Sequence, residues 1–162
     1  MKSRITSPST SRLDSLSRGD RQRPRLKITC CYVPETHDPA GGILLTIGEV
    51  VKALLDPVGD PRDGIMVLGG EPFFQPAGLA ILLRKLQGRS LHTVVYSGYT
   101  LEVLARRSEP EVLEALHLID LLVDGPFVAA LTEGAGEWRG SRNQRLIHRP
   151  AGILNARNQS IE

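Results

Sequence analysis

Three short segments carry residue types able to hold a polar ligand: Gly69-Gly70-Glu71-Pro72, Ser97-Gly98-Tyr99 and Asp124-Gly125-Pro126. Glycines in such turns let backbone N–H groups close on a carboxylate or phosphate. Glu71 and Asp124 can accept hydrogen bonds from an ammonium group or from ribose hydroxyls. One such turn is ordinary, because glycine after a strand usually marks no more than a change of direction. Three in succession suit a binding edge, although the residue types do not name the ligand. The only other candidates are the two cysteines, Cys30 and Cys31. They are adjacent, which excludes a disulfide framework.

The three turns fall where apolar runs end. Residues 46–56 place Ile47, Val50, Val51, Leu54 and Leu55 at helical spacing, with Thr46 and Glu49 as a capping box and Pro57 and Gly59 as stops. Ile65 to Leu68 reads as a buried strand running into the first turn. Leu79, Leu82, Leu83 and Leu86 make a helix face over 77–87, ended by Gly88. His92 to Tyr96 is a second strand, and Thr100 caps a helix to about Arg107. Ser108 with Glu111 predicts another capping box, with Pro110 in the first turn, opening a helix to about Leu116. Ile119 to Val123 is a third strand; a glycine-containing stretch over 125–140 leads to the short apolar segment at Leu146-Ile147. Alternating helices and nearly all-apolar strands predict an α/β fold, with a parallel sheet buried between helices. In such sheets ligands bind beyond the carboxyl ends of the strands, so the three turns would share one edge.

The chain has 162 residues, enough for one domain, with 41% hydrophobic and 23% charged residues. No apolar run approaches the roughly 20 residues of a membrane span, and the start lacks a signal-like apolar region, so a cytoplasmic protein is expected. Residues 1–25 hold seven Lys+Arg and two Asp+Glu, a local +5, against a total of +2; the rest carries 2 − 5 = −3. The positive charge therefore belongs to the beginning of the chain rather than to a folded surface, which argues against nucleic acid as a partner. The domain reading is a Ser/Arg-rich tail over 1–27, disordered or mistranslated, then a folded domain over 28–155 and a C-terminal tail over 156–162.

Five segments bear a resemblance to a known family. CYVPETHDPAGG (31–42), LGGEPFFQP (68–76), YSGYTLEVL (96–104), LIDLLVDGPFV (118–128) and EWRGSRNQRLIH (137–148) stand in the family's order and extend the match over about 28–150. Together they resemble the activating proteins of anaerobic ribonucleoside-triphosphate reductase, small single-domain radical S-adenosylmethionine (SAM) enzymes. The resemblance implies a partial parallel βα barrel and a [4Fe–4S] cluster held by a C-x3-C-x2-C loop. It also implies SAM on the open iron and a 5′-deoxyadenosyl radical that removes hydrogen from a glycine of the partner, a glycyl radical enzyme. A flavodoxin- or ferredoxin-type protein would supply the electron. The family's GGE turn binds the methionine amino end, which carries over to Gly69, Gly70 and Glu71; Asp124 and, more weakly, Ser97 are candidate polar contacts to SAM. The segment holding Trp138, Arg139, Arg142 and Arg145 is either a docking surface for the partner or a structural loop anchored by Trp138.

The departure from the family falls on the cluster loop. Cys31, directly before Tyr32-Val33-Pro34-Glu35-Thr36, matches the third cysteine; the other two positions hold Ile28 and Pro24, and Cys30 matches neither. A cluster capped at one corner needs three thiolates. His37 and His148 do not repair the set on spacing grounds. The family's first strand is also expected to be missing or garbled. One expectation is that residues 1 to about 30 come from a wrong frame or start, so that upstream DNA read in another frame encodes the missing cysteines. The alternatives are a radical SAM protein acting on another protein or peptide, and a cluster-deficient SAM-binding or partner-binding remnant.

Overall fold

Thr46 and Glu49 form the capping box that their spacing predicts. The Thr46 backbone N–H donates to Glu49 Oε2 at 2.6 Å, and the Glu49 N–H donates to Thr46 Oγ1 at 3.2 Å. Helix α1 (Ile47–Leu54) starts there and buries Ile47 and Val50. The computed structural model describes residues 2–5, 43–55, 63–68 and 70–159. Cys30, Cys31, His37 and Gly69 lie outside the described residues.

Before α1, strands β1 (Lys2–Ile5) and β2 (Ile43–Thr46) pair antiparallel. Neither is announced by the sequence, because ladder hydrogen bonds belong to the backbone and KSRI has no alternating pattern. After α1 come β3 (Gly64–Val67), α2 (Pro76–Leu86), β4 (His92–Ser97), α3 (Leu101–Ala105), α4 (Pro110–Leu118), β5 (Leu121–Asp124), β6 (Arg145–His148) and α5 (Pro150–Gln159). Strands β3, β4 and β5 are parallel neighbours, and β6 adds antiparallel to β5. The fold is mixed α/β with a parallel-rich sheet. The antiparallel β6 departs from the expected all-parallel order. Its connection from β5 carries no crossover helix, so the chain returns alongside β5 in the opposite direction.

The helices cover one face of this sheet. Ile65, Val67, Val95, Leu122 and Ile147 alternate onto that face and meet Leu79, Leu83, Leu104, Val112 and Leu116 in the main core. Each such side chain contributes roughly 1.5–3 kcal/mol by leaving water. The far face carries a smaller cluster of Val94, Leu121 and Val123 with Tyr96, while Met66 and Leu146 are exposed. The expectation of helices on both faces is therefore corrected among the described residues: Met66 sits in an all-apolar run, yet β3 alternates exposed and buried.

Two helix starts also differ from the sequence reading. No box forms at Ser108 and Glu111; α4 begins at Pro110 with Glu109 as N-cap and no side-chain cap bond. Proline at the first position has no N–H to satisfy, and Glu109 is paired with Arg107 instead. Thr100 is the N-cap of α3 but makes no side-chain cap bond. Helix α5 is not predicted from the sequence, which has little amphipathic pattern there to announce it.

Among the described residues the outer edge of β3 has no paired strand. An unpaired parallel edge recruits other chains. The full chain is expected to self-associate as its concentration rises in size-exclusion runs. A monodisperse sample with one sharp thermal transition would contradict this.

Candidate functional site

The carboxyl ends of β3, β4 and β5 bring the three turns to one edge of the sheet, and two buried carboxylates bind them together. Gly70 sits at φ 57°, a left-handed conformation open to glycine without strain. It delivers Glu71 into the interior, where Oε1 accepts the Phe73 N–H at 3.1 Å and the Ser97 hydroxyl at 3.0 Å. Oε2 accepts the Gly98 N–H at 2.8 Å. Glu71 thus ties the first turn to the second. Burial raises its pKa from 4.5 to about 7, against the opposing pull of these hydrogen bonds and of the nearby Arg107 guanidinium. Arg107 is itself fixed by the Phe73 carbonyl at 2.8 Å and by Glu109.

Asp124 ties the second turn to the third. It is fully buried. Its Oδ2 accepts the Leu101 N–H at 2.6 Å, so it supplies the α3 cap that Thr100 does not. Its Oδ1 accepts Arg145 Nε at 2.9 Å, and Arg145 Nη2 also reaches Oδ2. Arg145 continues to Glu102, whose carboxyl its hydrogen bonds hold down at about 2. The same carboxylates drive the Arg145 pKa further up, Asp124 most strongly. The Gly125 N–H closes the edge by donating to the Tyr99 carbonyl at 3.2 Å.

Gly70, Glu71, Ser97 and Asp124 are therefore gathered as their spacing predicts, while Gly69 lies outside the described residues. Strand register puts Ser97 opposite Asp124, on the helix-covered side of the sheet. Ser97 Oγ is engaged twice, donating to Glu71 and accepting the Tyr99 N–H at 3.1 Å. Sequence reasoning missed the pairing of Arg145 with Asp124 and Glu102. The signal present was Arg145 itself, quoted in the C-terminal segment without a partner.

Fold and turns define an α/β protein with a polar edge at the carboxyl ends of its parallel strands. The chain belongs to the 4Fe-4S single cluster domain family, whose model matches residues 25–147. Among curated proteins it is similar to the anaerobic ribonucleoside-triphosphate reductase-activating protein of Vibrio cholerae serotype O1, 36% identical over 93 residues, 54% of this chain and 56% of that one. It is equally similar to the protein of that name from Salmonella typhi, with the same coverage. The Escherichia coli K12 protein of that name is 33% identical over 94 residues, again 54% of this chain and 56% of that one. The chain thus spans about half the length of the relatives it matches. No solved structure matches it significantly.

The residues present do not fit a complete cluster. The chain has two cysteines, adjacent in sequence, where three thiolates are needed at spaced positions. Among the described residues no group of three His, Cys, Asp or Glu is placed to hold a metal ion. His148 is exposed on β6 and joins no such group. No helix among them is long and apolar enough to cross a membrane.

Proposed function

We propose that this chain acts as an activating protein of an anaerobic ribonucleotide reductase, binding SAM along the turns after β3, β4 and β5 so that a radical is placed on a glycine of the reductase. The observation that carries the reading is the joining of the turns at 70–72, 97–99 and 124–126 by Glu71 and Asp124, in a chain whose relatives bear that name. On this reading the sheet is part of a radical SAM barrel, and the protein works in the cytoplasm with a flavodoxin- or ferredoxin-type donor. Gly69, Gly70 and Glu71 meet the methionine end of SAM. Glu71 Oε2, with one donor from Gly98, has a lone pair left for the ligand ammonium. Ser97 and Asp124 hold the following turns in place; Asp124 acts on the ligand through the α3 start that it caps.

A cluster, when bound, supplies the electron that opens the sulfonium. Cys30 and Cys31 fall short of the ligand set that such a cluster needs. That same shortfall favours a second reading, a cluster-deficient protein that binds SAM or the partner without cleaving SAM.

Iron content separates the two readings. After anaerobic reconstitution of the full chain, iron, sulfide and 5′-deoxyadenosine are measured together. About four irons per chain with SAM cleavage supports the activase. Negligible iron, with SAM bound and intact, supports the cluster-deficient reading and overturns the catalytic one.

A further inference from the structure

At the amino ends of β4 and β5, away from the three turns, the described residues enclose a cavity of about 480 Å³. Its buried floor is apolar, with Leu83 and Leu86 from the last turns of α2 and Ile119 just before β5. Its exposed rim is polar, with Gln87, Ser90, His117 and Arg149. Sites for small organic ligands combine an apolar lining with a few polar groups in volumes of roughly 300–1,000 Å³. None of the residues that line this cavity belongs to the edge held by Glu71 and Asp124.

Two of the rim residues hold a costly backbone. Ser90 has φ 55° and Arg149 φ 44°, left-handed values that glycine adopts without strain. Arg149 is disfavoured twice, because it also precedes Pro150, and a residue before proline is pushed towards the extended region. Strained residues of this kind gather at binding sites. The Arg149 backbone is engaged: its N–H donates to the Asp120 carbonyl at 2.9 Å, and its carbonyl accepts the Gly152 N–H at 2.9 Å. Its guanidinium is not engaged, having no hydrogen bond or ion pair among the described residues. Asp120, the carboxylate among the lining residues, is committed to Thr93, whose N–H and hydroxyl both donate to Oδ2 at 2.8 Å. The α2 carbonyls that would repel an anion are spent as well. Leu83 accepts the Gln87 N–H at 3.0 Å and Leu86 the Arg89 N–H at 3.3 Å. Helix α5 instead adds its first turn to the wall through Ala151 and Gly152, and with it the positive end of its dipole. His117 Nδ1 donates to the Leu113 carbonyl at 2.7 Å, which leaves Nε2 for a ligand.

We propose that this cavity binds a small organic anion, with its apolar body on Leu83, Leu86 and Ile119 and its carboxylate or phosphate on the Arg149 guanidinium. The planar guanidinium meets either oxyanion with two parallel hydrogen bonds. A bound anion joins the start of α5 to the ends of α2 and α4, so it stabilises the folded chain in proportion to its occupancy. The site stands apart from the function proposed above and does not depend on it.

Octanoate, phenyl phosphate and inorganic phosphate are titrated into the full chain by calorimetry, with thermal midpoints read in parallel. The first two share the anion-with-apolar-body chemistry and differ in the oxyanion; the third is the anion alone. The expected result is saturable binding of octanoate, phenyl phosphate or both, at about 1 mM or tighter, with a raised midpoint. Inorganic phosphate should bind at least about tenfold more weakly, since it leaves the apolar floor uncovered. The tighter of the first two identifies the oxyanion that the site prefers. The Arg149→Gly chain should keep or raise its ligand-free midpoint, because the left-handed strain is relieved, and lose about tenfold or more in affinity. Arg149→Lys keeps the charge and should lose less. Gly152→Leu tests the cavity without changing charge. A Cβ at Gly152 meets nothing within 4 Å, so the longer side chain is tolerated at the mouth and should weaken both probes. Saturating SAM should leave the affinities unchanged. Binding that survives Arg149→Gly or Gly152→Leu, binding that SAM abolishes, or no binding of either organic anion overturns the site. Inorganic phosphate that binds as tightly as the organic anions also overturns it, by showing that the apolar floor takes no part. Each of these outcomes leaves the proposed function standing, because its test is read at the other end of the sheet.

Discussion

Replacing Asp124 with alanine is expected to destabilise the domain by about 3 kcal/mol, a large share of the roughly 5–15 kcal/mol that holds an ordinary domain together. The side chain is fully buried and accepts from Leu101 N–H and twice from Arg145. Alanine leaves the Leu101 N–H without its acceptor, at about 1–3 kcal/mol. It also removes charge-assisted bonds. Arg145 does not add the full cost of a stranded buried charge, since its side chain is 46% exposed and it keeps Glu102. Asp124→Asn retains an acceptor for Leu101 and should cost less than half as much. Urea unfolding of the two variants checks the order; an Asp124→Ala chain within 1 kcal/mol of the parent would remove Asp124 as the joint of this edge. Glu102 on the rim matters far less. Its lowered pKa gives stability that is present above about pH 4.5 and lost towards about 2. Exposure keeps that contribution under about 1 kcal/mol.

Glu71 gives the second large effect, and its sign runs the other way. Burial raises its pKa from 4.5 to about 7, so the folded state holds a proton that the unfolded chain releases in this range. The contribution is fully present below pH 4.5 and is lost as pH rises to about 7, about 3 kcal/mol in all. Glu71→Gln cannot titrate. Its stability should therefore lack this decline and exceed that of the parent at pH 8, as read from unfolding free energies measured at several pH values. Parallel profiles for parent and variant would show that Glu71 is already ionised in the folded protein at pH 5. On the proposed function, a ligand ammonium beside Glu71 favours the carboxylate. SAM binding near pH 6.5 should then release a proton, seen as a binding heat that depends on the buffer's ionisation enthalpy.

The helix–strand order and the place of the three turns were legible because both are written locally. Apolar periodicity marks α1, α2 and β3 to β5, and glycine marks the exits from the strands. Thr46 and Glu49 could be paired from sequence because a capping box closes within one helical turn. The same rule failed at Ser108 and Glu111. There Glu109 pairs with Arg107, which in turn reaches Phe73 across the fold. The cap of α3 shows the limit again: the sequence offers Thr100 next door, but the acceptor is Asp124, 23 residues away.

By itself the sequence determined which residues stand at the carboxyl ends of the strands, and it carried the five segments that give the chain its family resemblance. It also determined that only two thiols are available, because a count needs no coordinates. Only the tertiary structure decided which way those residues turn. It placed Glu71 inward as the tie between two turns, and Asp124 beneath α3 against Arg145. It also left Trp138 outside on a turn held by Tyr96, 42 residues earlier in the chain. Local patterns fix backbone conformation because they act over a few bonds. A buried polar group instead takes whichever partner the packed sheet brings within about 3 Å, and sequence separation plays no part in that choice.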